Sequence, residues 1–194
     1  VVTSIPERRS GSEIEWSLDK RCPCGDFDIV YIKDEKVPRC SGRYDCKISK
    51  KEMLIYFASK SGLDIEGLGR ETVETLIANK LVENFEDFYS LTYEELISLP
   101  QWKEKKTQNL LEAIEKSKNS EQEKLLPALG IRYVGKQTSK LLVNTFGSIR
   151  NIFDASTDEI NKIHGISESV SSSLIEWYSA VSYTHLRAHE TLPY

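Results

Sequence analysis

The sequence of 194 residues predicts a mainly α-helical fold, in which a small four-cysteine lobe with a short β-hairpin precedes a domain of repeated helical units. Three observations predict it. All four cysteines fall within residues 22–46, on either side of a stretch with β-like alternation. Beyond residue 49 the apolar residues keep helical spacing. A short turn recurs four times at intervals of 34, 32 and 32 residues, a period typical of repeated supersecondary units.

The cysteine lobe predicts a metal site. Its thiols form two groups with the β-like residues 27–32 between them: Cys22, Cys24, Cys40 and Cys46. Two groups of thiols around a short β segment are typical of a four-thiolate zinc site, and the metal would supply folding energy that so small a lobe lacks. Four protein ligands leave no open coordination position, so such a zinc ion would be structural.

The cysteines have a competing interpretation, and their spacing departs from that of the common zinc site. Two disulfides are the competing interpretation, which we consider the weaker one because no secretory segment indicates an oxidising compartment. The first pair is also unusual, since only Pro23 separates Cys22 from Cys24 where the common zinc knuckle has two residues. We therefore expect a strained or weaker metal site.

Helix-start signals divide the rest of the chain into short helices. Four Ser/Thr-x-x-Glu sequences fit capping boxes before apolar runs, and they begin at Ser49, Thr92, Ser120 and Ser156. Apolar residues in α-helical register follow several of them. Short helices joined by short turns indicate a compact helical domain over residues 49–178.

The four recurring turns are the main functional signal. They read Gly67-Leu68-Gly69, Gln101-Trp102-Lys103, Tyr133-Val134-Gly135 and Gly165-Ile166-Ser167, and a helix is predicted directly after each. Glycine permits positive φ and close approach by another backbone, and a helix that starts there directs unpaired N–H groups outward. Such a turn suits an anion, and four of them in register favour a polymer of phosphates.

Side chains beside the turns complete the candidate DNA-binding set. The expected partner is double-stranded DNA, held across its minor groove without sequence preference because phosphate contacts position a protein but read no bases. Trp102 is either a wedge between bases or, as is commoner for an aromatic residue, part of the core. Besides the turn residues Gly67, Leu68, Gly69, Trp102, Lys103, Val134, Gly135, Gly165, Ile166 and Ser167, the predicted contacts are Arg70, Lys105, Lys106, Gly130, Ile131, Arg132, Lys136 and His164.

Charge and hydropathy limit the function classes. The net charge is −4, and residues 61–124 hold 8 basic against 14 acidic side chains, so global attraction cannot bring a polyanion to this surface. Any binding to DNA must therefore depend on local Lys and Arg residues and on oriented backbone hydrogen-bond donors. No stretch of sequence is apolar for long enough to span a bilayer, so no membrane partner is expected.

Taken together, these features resemble the middle-to-C-terminal part of bacterial NAD-dependent DNA ligases, over residues 5–178. Pro6-Glu7-Arg8-Arg9 resembles the end of the family's oligonucleotide-binding barrel, and the cysteines resemble its zinc finger. Leu63–Gly69 and Leu126–Gly135 resemble two of its helix-hairpin-helix signatures. The resemblance implies a barrel end or linker at 1–21, a four-Cys zinc finger at 22–48 and a tandem helix-hairpin-helix domain at 49–178.

The same resemblance implies a function for the chain as a segment of such a ligase. It would bind nicked double-stranded DNA in the minor groove as a monomer, in the bacterial cytoplasm at the nucleoid, while the whole enzyme seals nicks in replication and repair. The nucleotidyl-transfer Lys-x-Asp-Gly motif does not occur here, and the nearest string is Lys33-Asp34-Glu35. We therefore expect no catalytic residue in this chain and no activity of the chain alone, with NAD and Mg bound only by other domains of the parent enzyme.

Two other interpretations and one terminal segment complete the predictions. A helical repeat that binds protein shares the period of 32–34 residues, although tetratricopeptide and ankyrin signatures are absent. A stand-alone catalyst that uses His164 or Cys40 is the weakest interpretation, because no nucleophile–base set is evident. Residues 179–194, which include Tyr183–Thr191, resemble a translated adapter, so we expect a non-native or disordered tail there.

Overall fold

The computed structural model describes residues 10–12, 14, 17–32 and 36–180. Three predictions fall outside these residues: the barrel end at residues 6–9, the string at residues 33–35 and most of the tail, at residues 181–194. The described part is mainly helical and contains a two-stranded antiparallel sheet, as predicted.

The cysteine lobe folds around a very short hairpin. Strands β1 (Ile29–Val30) and β2 (Arg39–Cys40) pair antiparallel, and Ile29 lies opposite Cys40. An isolated antiparallel bridge joins Arg21 to Asp28, the residue before β1. The β structure is therefore shorter than the predicted alternation over residues 27–32, because only two residues on each side form a ladder.

In the part of the chain that the structure describes, ten α-helices follow a 3-10 turn at Arg43–Asp45. The first helix begins two residues earlier than the predicted start of the helical domain, because Cys46 already adopts extended backbone geometry as its N-cap. The helices are α1 Lys47–Ala58, α2 Arg70–Ala78, α3 Asp87–Ser90, α4 Tyr93–Ile97, α5 Glu104–Ser117, α6 Gln122–Ala128, α7 Lys136–Phe146, α8 Ile149–Asp154, α9 Thr157–Asn161 and α10 Glu168–Ala180.

The helices form two similar halves. In the first half α1 packs on α2 and α4 packs on α5, with the short α3 as the connection. In the second half α6 packs on α7 and α9 packs on α10, with the short α8 as the connection. Each half is thus a pair of two-helix units, and each of the four predicted turns joins the two helices of one unit.

Two of the four predicted capping boxes are present and two are wrong. Thr92 and Ser156 cap α4 and α9, and their partner glutamates bond back to the cap amides, which lowers the pKa of Glu95 and Glu159. Ser49 lies inside α1, and Ser120 lies one residue before the N-cap of α6. The motif is only a local signal, and these two helices begin at Lys47 and Gln122 instead.

One apolar core runs through both halves. Its largest fully buried side chains include Trp177, Phe57 and Phe88, and the ring of Phe153 stacks on that of Trp177 at 5.5 Å between centroids. An ion pair between Arg43 and Glu176 connects the cysteine lobe to α10. Among the described residues, no helix combines the length and the apolar character needed to cross a membrane.

We expect Leu68→Ala to lower the free energy of unfolding by about 2–5 kcal/mol, because Leu68 is only 1 % exposed and its truncation leaves a cavity. Urea denaturation followed by circular dichroism measures this loss. Leu141→Ala is the matched control, since Leu141 is 39 % exposed and should lose well under half as much. Equal losses for the two variants would show that Leu68 does not anchor its turn in the core.

Candidate metal centre and nucleic-acid interface

The four cysteines converge on one point. Their sulfur atoms all lie within 4.8 Å of one another, and those of Cys22 and Cys46 are 3.9 Å apart. All four are free thiols, so the disulfide alternative is not what the fold contains. Tetrahedral zinc with Zn–S bonds of about 2.3 Å places sulfurs about 3.8 Å from one another. The cluster therefore has the size of a four-thiolate metal site.

The shortened first pair does not prevent this convergence. The Gly25 amide donates to the Cys22 carbonyl at 2.9 Å and closes a tight turn, in which Gly25 has φ +86°. This turn brings both Cys22 and Cys24 into the buried cluster. Glycine is the residue that adopts such a φ without a steric penalty, so the Pro23–Gly25 segment compensates locally for the missing residue.

The electrostatics of the cluster favour a cation. Burial raises the pKa of Cys46, but hydrogen bonds from the Ser49 amide and hydroxyl and from neighbouring thiols outweigh it and lower this pKa to about 6. A backbone hydrogen bond at Cys24 lowers the pKa of Cys22, but burial and the three other thiols raise it to about 12. The closely spaced thiols disfavour one another's ionisation, and a bound positive charge would offset this repulsion.

The four predicted turns have the same backbone. In each one, an amide donates to the carbonyl three residues earlier at 3.1–3.2 Å, and the residue before that amide has positive φ. The bonds run from Leu68 to Ile65, from Trp102 to Leu99, from Val134 to Ile131 and from Ile166 to Ile163. The positive-φ residues are Gly67 (+86°), Gln101 (+67°), Tyr133 (+62°) and Gly165 (+91°).

The apolar residues of the turns point into the protein. Leu68, Ile131 and Val134 are buried, and Trp102 is 7 % exposed with the Lys106 Nζ atom 4.1 Å from its ring centroid. The ring of Trp102 therefore lies in the core, which is the commoner of the two locations predicted for it. Any contact that these residues make with DNA has to involve their backbone.

Three of the helices that follow the turns, α2, α5 and α7, begin without side-chain caps. Their N-cap residues Gly69, Lys103 and Gly135 have extended backbone geometry and form no side-chain cap hydrogen bond. In contrast, Thr92, Ser148 and Ser156 cap other helices with their hydroxyl groups. The N-cap residues of the turn helices, including Ser167, are exposed, so the first amides of these helices face solvent.

Neither the φ angle nor the packing requires glycine at two of these N-caps, although glycine is also an ordinary N-cap residue. Gly69 has φ −70° and Gly135 has φ −95°, which any residue adopts. A Cβ atom added at either position would meet no other atom within 4 Å. The open space beside both glycines is therefore available to a partner that approaches the backbone closely.

The charged side chains near the turns differ in their partners. Arg70 forms two hydrogen bonds of 2.7 Å with the carboxylate of Glu52, which raises the pKa of Arg70. Arg132 covers the Tyr133 ring with its guanidinium carbon 5.0 Å from the ring centroid. The exposed residues in this set, together with the exposed turn glycines, are Arg70, Lys103, Lys105, Lys106, Lys136, His164 and Gly130.

Two residues with unusual backbone geometry were not among the predicted DNA contacts. Gln101 and Tyr133 hold the positive-φ position that glycine holds in the first and fourth turns. The alignment of the four turns places them in register, which is the signal that could have identified them.

Comparisons with known proteins agree with this architecture. A family model described as a SAM-like helix-hairpin-helix tandem matches residues 63–116, and one described as a helix-hairpin-helix motif matches residues 124–186. The first corresponds to the first half of the fold and the second to the second half. The predicted fold class, a small four-cysteine lobe with a short β-hairpin followed by a tandem helix-hairpin-helix domain, is confirmed.

Curated relatives match nearly the whole chain. It is 37% identical to a DNA ligase of Anoxybacillus flavithermus and 40% identical to one of Geobacter sulfurreducens, each over 179 residues or 92% of this chain. A DNA ligase of Bacillus subtilis is 36% identical over the same length. The chain spans only about a quarter of these relatives, 26% of each one.

We expect alanine substitutions at the two glycines of the first turn to lower the free energy of unfolding by different amounts. Gly67→Ala should lower the free energy of unfolding by about 1–2 kcal/mol, because φ is +86° there and the new Cβ would lie 3.4 Å from Leu110. Gly69→Ala, two residues later, should change it by less than about 1 kcal/mol, since its φ is ordinary and its surroundings are open. Thermal unfolding measures both variants, and a Gly69→Ala loss as large as that of Gly67→Ala would contradict the open geometry.

Proposed function

We propose that this chain, which belongs to the DNA ligases as a segment that carries their helix-hairpin-helix region, binds double-stranded DNA through its four turns. The observation that carries the proposal is that α2, α5 and α7 begin without a side-chain cap directly after a turn, and that two of them begin at a glycine that neither its φ angle nor its packing requires. Exposed amides at helix starts hydrogen-bond phosphate oxygens, and the helix dipole favours the negative charge.

Backbone donors resolve the apparent conflict with the acidic composition. A chain with net charge −4 gains little from global attraction to DNA, but oriented amides carry partial positive charge that carboxylates elsewhere do not cancel. Lys103 and Lys105 add charge beside the second turn, which has no glycine, so side chains there substitute for close backbone approach. Because phosphates are the same in every sequence, this binding would not depend on sequence.

The finer parts of the function extend this proposal. We infer that the preferred site is a nick in duplex DNA, bound in the minor groove, and that the parent enzyme is an NAD-dependent ligase of replication and repair. The joint presence of the four-cysteine cluster and the helix-hairpin-helix halves supports this assignment. NAD and Mg would act in other domains of the parent, and this chain would contribute DNA binding, as a monomer in the bacterial cytoplasm.

The alternative of a protein-binding helical repeat receives less support. Both matching family models describe helix-hairpin-helix motifs, and the repeats alternate with short connecting helices rather than stacking as identical units. We therefore prefer DNA as the partner.

We further propose that the metal at the cysteine cluster is zinc. The donor set fits, since four buried or half-buried thiols lie within 4.8 Å of one another and a bound cation would offset the repulsion between their ionised forms. Zinc would hold Cys46 in place, and because Cys46 is also the N-cap of α1, it would fix the lobe to the helical domain. Its role would be structural, with no step in the joining reaction.

DNA binding is tested with variants that fill the open space at the helix starts. We expect Gly69→Val and Gly135→Val to remain folded and each to weaken binding to a nicked duplex by about tenfold, which corresponds to about 1.4 kcal/mol. Fluorescence anisotropy at several salt concentrations measures the affinity, and the slope of log K against log salt should change little, because the contacts removed are made by neutral backbone amides and not by Lys or Arg.

The matched control for this test is Asn144→Val, because Asn144 is exposed near the other end of α7, away from the turn. It should bind DNA like the wild type. Folded Gly69→Val and Gly135→Val proteins that bind as tightly as the control would show that the turns are not the contact surface. Comparison of nicked with intact duplex tests the preference for a nick separately.

Metal content tests the cysteine cluster. We expect the purified protein to contain about one zinc ion per chain by elemental analysis, and Cys24→Ser to contain far less. Acidification should release the metal, because thiolate ligands must be deprotonated to bind it and protons compete for them as the pH falls. A protein that lacks metal, refuses added zinc and yet keeps its thermal stability would contradict this role.

A further inference from the structure

Tyr133 occupies a position that the fold does not favour for a tyrosine. It has φ +62°, whereas the equivalent positions of the first and fourth turns are Gly67 and Gly165. A bulky residue with positive φ is a genuine conformational outlier, and such strain persists at functional sites more often than elsewhere. The core gains little in return, since Tyr133 is 51 % exposed and ranks among the exposed large apolar residues of the described part.

The ring is held in a defined orientation at the surface. The guanidinium carbon of Arg132 lies 5.0 Å from the ring centroid, and its Nη2 atom donates to the Tyr133 hydroxyl at 3.1 Å. The Thr138 hydroxyl donates to the Tyr133 carbonyl at 3.4 Å, which ties the residue to the first turn of α7. A side chain oriented in advance loses less conformational entropy when it meets a partner.

Tyr133 is also close in sequence to the open helix start of α7. Two residues further along is Gly135, where an added Cβ would meet nothing within 4 Å. A phosphate bound by the amides there would bring its own sugar, or the next one along the strand, to the neighbourhood of the turn. The flat apolar face of a tyrosine packs well against the C–H groups of a deoxyribose, and its hydroxyl tolerates water.

We propose that Tyr133, supported by Arg132, is a DNA-contacting residue that packs its ring against a deoxyribose in the minor groove next to the phosphate held by the third turn. This inference rests on the proposed function and deepens it. The contact would be independent of sequence, because every nucleotide offers the same sugar. It would also distinguish the third turn from the other three, none of which has an aromatic residue at this position.

The experiment uses Tyr133→Gly in the full chain, since glycine suits the positive φ and removes the whole side chain with its ring. We expect its melting temperature to stay at or above that of the wild type, while its affinity for a nicked duplex falls by about tenfold, or about 1.4 kcal/mol. The slope of log K against log salt should stay unchanged, because the lost contact is uncharged. Tyr133→Phe, which keeps the ring, should bind within about twofold of the wild type.

Gln101→Gly is the matched control, because Gln101 has φ +67° at the same position of the second turn and is exposed. It should match Tyr133→Gly in stability and bind DNA like the wild type. If the wild type does not bind duplex DNA, the proposed function fails, and this inference fails with it. If the wild type binds and Tyr133→Gly binds equally well, only this inference is overturned.

Two other outcomes also count against the ring contact. A lower melting temperature for Tyr133→Gly would show that the tyrosine serves the fold. A salt slope that falls by about 0.9 together with the affinity would assign the effect to a phosphate contact through Arg132, and not to the sugar.

Discussion

The structure depends on one repeated turn, in which an amide donates to the carbonyl three residues earlier and the third residue takes positive φ. The first and fourth residues of this turn are apolar and pack inward, so the core holds the turn by both ends. The next helix therefore starts directly at the surface, with its amides exposed. Packing thus sets the position of every candidate DNA contact, and buried side chains such as Leu68 contribute through the backbone that they anchor.

Two kinds of glycine serve this arrangement for different reasons. Gly67 and Gly165 satisfy the backbone of the turn itself, since φ is +86° and +91° there. Gly69 and Gly135 have ordinary φ and open surroundings, so neither conformation nor packing of this chain requires them. Only the second kind points to a partner. The second turn has glycine at neither position, which shows that the fold tolerates other residues in both places.

The cysteine cluster and the helical domain form a continuous structure. Cys46 is both a member of the thiol cluster and the N-cap of α1, and α1 packs on α2 in the first two-helix unit. The Arg43–Glu176 pair joins the same lobe to the last helix. A metal in the cluster would therefore fix the lobe against both the first and the last helical unit, and its strongest effect would be on their relative position.

The sequence by itself determined the helical class, the four turns in register and the grouping of the cysteines, because these depend on local spacing and turn chemistry. It also located real capping boxes at Thr92 and Ser156. Only the tertiary structure decided that Ser49 lies within a helix, that Trp102 is buried, that Arg70 is paired with Glu52 and that the Cys22 and Cys24 sulfurs converge despite their short spacing. Each of these depends on contacts between residues distant in sequence, or on a backbone dihedral angle, and neither is encoded in a local pattern.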